Sequence, residues 1–230
     1  MELKWAGKYT TDCKRVAPVH IALPFQTVET VNESAQQRQL ALDFFARGRE
    51  TGWRNRLIWG DKKYVLPALL PALAGKVDLI YIDPPFDTGA DFSFSRTIPG
   101  SDVSLNKEPS IIEQKAYRDT WGRGLDSYLQ WFYETVLILH KLLTETGSIY
   151  IHLDWRLDYV ARCVMDEIFG PECFRNSIVW KRDVAGKGAK RVSRQWPRNM
   201  DTILFYSRSA DAWTFKQQFV ALNDEQKKAY

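Results

Sequence analysis

The sequence predicts an α/β fold built on a mostly parallel sheet with helices on both faces. Two observations carry that expectation. Short apolar runs bounded by turn residues alternate with amphipathic segments several turns long, the pattern of strands joined by crossover helices. The 230 residues, 45% hydrophobic and 26% charged, are enough for one sizeable core and exclude disorder as the main state.

Residues 1–33 are broken by Pro18 and Pro24, and Ser34 is placed to cap a short helix over 35–47. Arg56-Leu57-Ile58-Trp59 reads as a strand stopping at Gly60-Asp61. A helix over 62–74 follows, with Val65, Leu66, Leu69, Leu70 and Leu73 apolar. Pro67 and Pro71 inside it predict a kink or a late start, and Gly75 a C-terminal cap. Val77–Ile82 is a largely apolar run, the pattern of a buried parallel strand. Residues 87–120 read as a long loop, and a loop of that length in a compact domain is usually functional or disordered. Apolar residues three to four apart then predict a helix over 124–145. A strand at 148–153, a helix at 155–169 stopped by Gly170-Pro171, and strands at 177–180 and 202–206 complete the order.

The net charge of +4 is unevenly placed. Residues 171–200 hold eight Lys/Arg against two acids, a charge of +6, while the other 200 residues hold 24 basic and 26 acidic. One segment therefore supplies the basic excess, as expected either for phosphate-backbone contact or for a solvated loop. No apolar run approaches the length of a membrane span, and the N-terminus lacks a signal-like apolar core, so the expected location is cytoplasmic with no membrane partner. Cys13, Cys163 and Cys173 show no paired spacing, so neither a disulfide framework nor a metal site is expected.

The run Val77–Ile82 ends at Asp83-Pro84-Pro85-Phe86. Ligands of open α/β sheets bind beyond the carboxyl ends of the strands, which is where this tetrapeptide stands. Two prolines have fixed φ and no N–H, so they make a stiff turn that offers carbonyl acceptors. The Asp83 carboxylate is a stronger acceptor beside them, and Phe86 offers a flat face. Such a turn can accept both hydrogens of an exocyclic –NH₂ while a ring stacks on the attached base. Bonds from those hydrogens to fixed acceptors localise the nitrogen lone pair for in-line attack on a methyl group, by positioning and electrostatics alone. The bland alternative is a rigid turn that only closes the strand.

Asp83-Pro84-Pro85-Phe86 resembles the DPP(Y/F) motif of amino-group DNA methyltransferases. Several stretches are similar to the permuted β class close to type III restriction–modification Mod enzymes. They are Leu57–Asp61, Asp78–Ile82, Trp121–Arg123, Gly147–Arg156, Asp166–Gly170, Ile178–Arg182 and Asp201–Tyr206. The likeness covers residues 53–215, leaving 1–52 as an N-terminal extension and 216–230 as the start of a target-recognition region. The resemblance implies a Rossmann-like sheet, S-adenosylmethionine as methyl donor and double-stranded DNA as substrate. Asp83 would hold the amine near the donor, Pro84 and Pro85 would present carbonyls, and Phe86 would stack on a flipped base. Asp61 would line the donor pocket or, equally, cap the following helix. Lys181, Arg182, Lys187, Lys190, Arg191, Arg194 and Arg198, with Trp196 among them, would grip DNA. Asp at position 83 favours adenine N6, since the cytosine-N4 members more often carry Ser there.

The family's Phe-x-Gly-x-Gly donor motif occurs nowhere in the chain, nor does any GxGxxG. The sheet is therefore expected to be incomplete and the chain to methylate poorly by itself. It would be a truncated product, an expression fragment or one part of a split enzyme, with a missing C-terminal half or a restriction subunit as partner. A non-catalytic module that binds DNA or a partner polypeptide is the competing expectation, and an amine of RNA or of a protein glutamine a further acceptor. His152, near Asp154, reads as structural or pocket-lining, because no nucleophile stands beside it.

Overall fold

The computed structural model describes residues 2–18, 21–28, 55–86, 124–182, 194, 196 and 198–217, with the backbone of 94–97 and 104–107. Its elements in chain order are α1 (Lys62–Leu73), β1 (Val77–Ile82), β2 (Phe94–Thr97), β3 (Ser104–Lys107), α2 (Leu125–Leu142), β4 (Leu143–Leu153), α3 (Asp158–Phe169), β5 (Phe174–Lys181) and β6 (Met200–Ser207).

The α/β class holds, but the described sheet is mixed rather than mostly parallel. Its order is β1-β4-β6-β5. β1 and β4 are parallel, with Ile82 opposite Ile151. β6 runs antiparallel to both β4 and β5. The reason lies in the connections. The β1–β4 link carries a whole helix, as a parallel pair requires, whereas an antiparallel pair such as β5 and β6 needs no crossover.

The described helices share a single core rather than flanking two faces. Tyr128, Phe132, Val136 and Leu139 of α2 and Val160, Ala161 and Val164 of α3 bury against Ile149, Ile151, Leu153, Leu204 and Tyr206. Leu66, Leu69, Leu70 and Leu73 of α1 pack on the edge of the same cluster. On β4 every second residue from Ile149 to Leu153 is fully buried, the period of a strand with one covered face.

Three local expectations are corrected. Residues 56–59 form no strand, and Leu57 and Trp59 are exposed; no described strand runs beside them, and an apolar run without a neighbouring strand makes no ladder. The region 87–120 is not all loop, since β2 and β3 pair antiparallel within it. Helix α1 neither starts late nor breaks at Pro67. Its first turn is held by the Asp61 side chain, and both prolines lie inside it. Gly75, at φ +66°, makes the turn into β1 as a left-handed residue after the helix. The helix expected over 35–47 lies outside the described residues.

Residues 2–18 pack on this framework. Trp5 Nε1 donates to Gln130 Oε1 of α2 at 2.8 Å. The buried Lys8 amine lies 2.6 Å from Glu167 Oε2 of α3 and donates to the Leu3 carbonyl at 2.7 Å. Burial alone would lower the Lys8 pKa, but Glu167 and Glu2 outweigh it and raise it.

Candidate functional site

Asp83 follows the last residue of β1 and so stands at the carboxyl end of a strand that is parallel to its neighbour. Its side chain is 56% exposed. Pro84 is buried, while Pro85 and Phe86 are partly buried, so the turn is anchored by its first proline and leaves the carboxylate in the open.

The register of the sheet decides what faces this turn. Ile82 is opposite Ile151, which brings Asp83 level with His152 on β4. His152 pairs in turn with Ile203 of β6, and Asp201 is two residues further along β6, on the same face. The result is a cluster around one imidazole. Nδ1 of His152 is 3.1 Å from the Tyr81 hydroxyl and 3.8 Å from Asp83 Oδ1. Its Nε2 is 3.4 Å from Asp201 Oδ2. The ring lies edge-on to Phe86, with centroids 5.7 Å apart. His152 therefore lines the site, touching Asp83, Phe86 and Tyr81 together. Asp154 belongs to the backbone turn beyond β4 instead: it is buried and accepts from the Arg156 N–H at 2.9 Å.

The basic segment meets this cluster at its roots. Arg182 Nε is 3.3 Å from Asp201 Oδ1, and its guanidinium donates to the Arg198 carbonyl at 3.2 Å. The Arg198 guanidinium stacks 3.7 Å above the Trp155 ring, with Arg156 on the same ring at 4.9 Å. Lys181 and Arg194 are exposed. Lys187, Lys190 and Arg191 lie outside the described residues.

Asp61 is the N-cap of α1, accepting from the Lys63 N–H at 2.8 Å. Because α1 runs back along β1 through a short turn, Asp61 lies at the same end of the sheet as Asp83. It borders a cavity of about 270 Å³ between α1 and α2, lined also by Lys62, Gln130, Trp131 and Glu134. None of Asp83–Phe86 lines that cavity. The Lys62 amine donates to the Trp131 carbonyl at 3.1 Å, bonds Thr135, and sits 3.8 Å above the Trp131 ring. Burial lowers its pKa to about 7.

Tyr81 and Asp201 escaped the sequence reading as site residues. Period two would have put Tyr81 on the face of Asp83. Asp201 had no comparable signal, because its place depends on β6 pairing antiparallel beside β4.

Comparison with known proteins gives this geometry a context. The profile of a family described as DNA methylase, comprising N6 and N4 methyltransferases, matches residues 77–230. The chain is 33% identical to the type III restriction-modification enzyme StyLTI Mod subunit of Salmonella typhimurium over 132 residues, 56% of this chain and 20% of that protein. It is 33% identical to the EcoP15I Mod subunit of Escherichia coli over 134 residues, 56% and 21% of the two chains. With the type II methyltransferase M.EcaI of Enterobacter cloacae, identity is 29% over 154 residues, 67% and 29% of the two chains. The matched region thus spans less than a third of the length of these relatives. Among solved structures, the cytosine-N4-specific PvuII DNA methyltransferase aligns at 16% identity and a TM-score of 0.38, covering 64% of this chain and 48% of that one. The M1.HpyAVI–SAM complex aligns at 14% and 0.40, covering 69% and 57%.

Proposed function

This chain belongs to the DNA methylase family, and on that premise we propose that it carries the base-holding site of an S-adenosylmethionine-dependent DNA amino-methyltransferase acting on adenine N6. The observation that carries the reading is the exposed Asp83 carboxylate at the carboxyl end of β1, on a turn anchored by buried Pro84 and flanked by Phe86. The relatives named as Mod subunits and methyltransferases support it.

In this mechanism Asp83 accepts a hydrogen bond from the target amine, and the turn fixes that acceptor so that no reorganisation is needed during reaction. Phe86 stacks on a base swung out of the duplex. Asp83 is also the carboxylate in reach of the proton that the amine sheds. S-adenosylmethionine, when bound, supplies an electrophilic methyl group on a sulfonium. Its positive charges fit an end of the sheet that carries two exposed carboxylates, Asp83 and Asp61, and the cavity beside Asp61 supports a donor-holding role for that residue. Lys181, Arg182, Lys187, Lys190, Arg191, Arg194 and Arg198 are the proposed phosphate contacts. The proposed partners are DNA and a restriction subunit.

Titration calorimetry tests the reading. The 230-residue chain is expected to take up S-adenosylmethionine, and Asp83→Ala to weaken that uptake at least tenfold without unfolding the protein. Salt-sensitive DNA binding with no donor uptake would overturn it in favour of a DNA-binding module.

A further inference from the structure

We propose that His152 is a positioning residue whose tautomer, set by Asp201, keeps the Asp83 carboxylate available to the target amine. The inference rests on the amine-holding role proposed for Asp83. Its own basis is the geometry of one buried ring edge.

Nε2 of His152 is buried with no hydrogen-bond partner among the described residues, and so is Oδ1 of Asp201. Asp201 Oδ2 lies 3.4 Å from that nitrogen. Asp201 is 4% exposed, so water cannot mediate freely between them. A bare nitrogen lone pair facing a buried carboxylate is repulsive, whereas an N–H facing it is attractive and needs only a small rotation to become a hydrogen bond. The neutral ring therefore carries its proton on Nε2. Arg182, 3.3 Å from the other carboxylate oxygen, holds Asp201 in place.

That assignment settles what the opposite ring edge can do. Nδ1 is left with a lone pair, which accepts from the Tyr81 hydroxyl at 3.1 Å. It has no hydrogen to give to Asp83 Oδ1 at 3.8 Å. The carboxylate that must hold an incoming amine is thus not captured by its nearest neighbour. In the other tautomer, or in the imidazolium, Nδ1–H points toward Asp83 and Tyr81 and competes for that carboxylate. Among the described residues, the groups that face the ring are Asp83, Tyr81 and Phe86 from the β1 side and Asp201 from β6, with Arg182 behind Asp201. A buried carboxylate that orients an imidazole through the far nitrogen is a recurrent device. Here it would act by withholding a proton rather than by moving one.

The test needs no turnover, so it stands apart from whether the chain methylates. The 230-residue protein is labelled with ¹⁵N-histidine and ¹³C-aspartate. Long-range ¹⁵N–¹H spectra are expected to show neutral His152 as the Nε2–H form in the wild type and as a mixture in Asp201→Ala. As pH falls, the Asp83 carboxyl signal is expected to shift at the midpoint of His152 protonation, and that step to vanish in His152→Gln. A wild-type ring protonated on Nδ1, or an Asp83 signal indifferent to His152, would overturn the proposal. The wild-type spectrum decides the tautomer even if a variant fails to fold.

Discussion

The two faces of the sheet contrast sharply. On the covered face Ile149, Ile151 and Leu153 are fully buried among α2 and α3. On the other, alternate residues of the same paired strands are Tyr81, 56% exposed, with Tyr150 and His152 partly exposed. One face is apolar and packed, and its residues are interchangeable in kind. The other carries hydroxyl, imidazole and carboxylate groups whose value lies in their relative placement. Strand periodicity separates the two sets of residues, and a one-residue slip of register would exchange them.

That contrast can be broken by substitution. Ile151→Ala on the packed face should cost about 2–5 kcal/mol of folding stability. Tyr81→Ala on the open face should cost less than about 1 kcal/mol, as exposed positions do. Urea unfolding of both variants checks the difference, and equal losses would mean that the open face is covered in solution.

The rim of the packed face should be acid-sensitive. His140 of α2 meets the Phe169 ring edge-on and lies 2.6 Å from the Arg208 guanidinium. Burial and then the Arg208 charge lower its pKa from 6.5 to about 4. The folded state therefore binds this proton less readily than the unfolded chain does. The stabilisation is complete above pH 6.5 and is lost as pH falls through about 4. Allowing for partial exposure, it amounts to about 1–3 kcal/mol. Unfolding midpoints measured across that range should fall in the wild type, and His140→Gln should flatten the fall.

The smallest effect belongs to the open end of the site. Replacing Lys181 or Arg198 by Gln should leave stability nearly unchanged. Each should lower the slope of log affinity for DNA against log salt by about 1 if the side chain meets a phosphate. An unaltered slope would assign Arg198 to holding Trp155 alone, on which it already stacks.

Much of this was legible in the residues. Val77–Ile82 appears as a strand with the expected bounds, because an apolar run between turn signals has few other uses. The helices at 125–142 and 158–169 follow their apolar spacing. The Asp-Pro-Pro-Phe turn stands at the carboxyl end of β1 because it directly follows that strand. Two of the departures share one cause. Whether residues 56–59 become a strand, and whether the sheet is parallel throughout, depends on which neighbours are present to pair, and a local pattern does not contain that information.

The site divides in the same way. Asp83, Pro84, Pro85 and Phe86 are contiguous, so their chemistry is written in four consecutive letters, and the fixed φ of proline makes the turn stiff wherever it occurs. The arrangement of Asp83, Tyr81 and Asp201 around His152, with Arg182 behind Asp201, comes from three different strands and the residue after β5. Only strand register brings them within hydrogen-bonding or ion-pair range. Register is the outcome of burying one face of the whole sheet at once, and no single segment of the chain can set it.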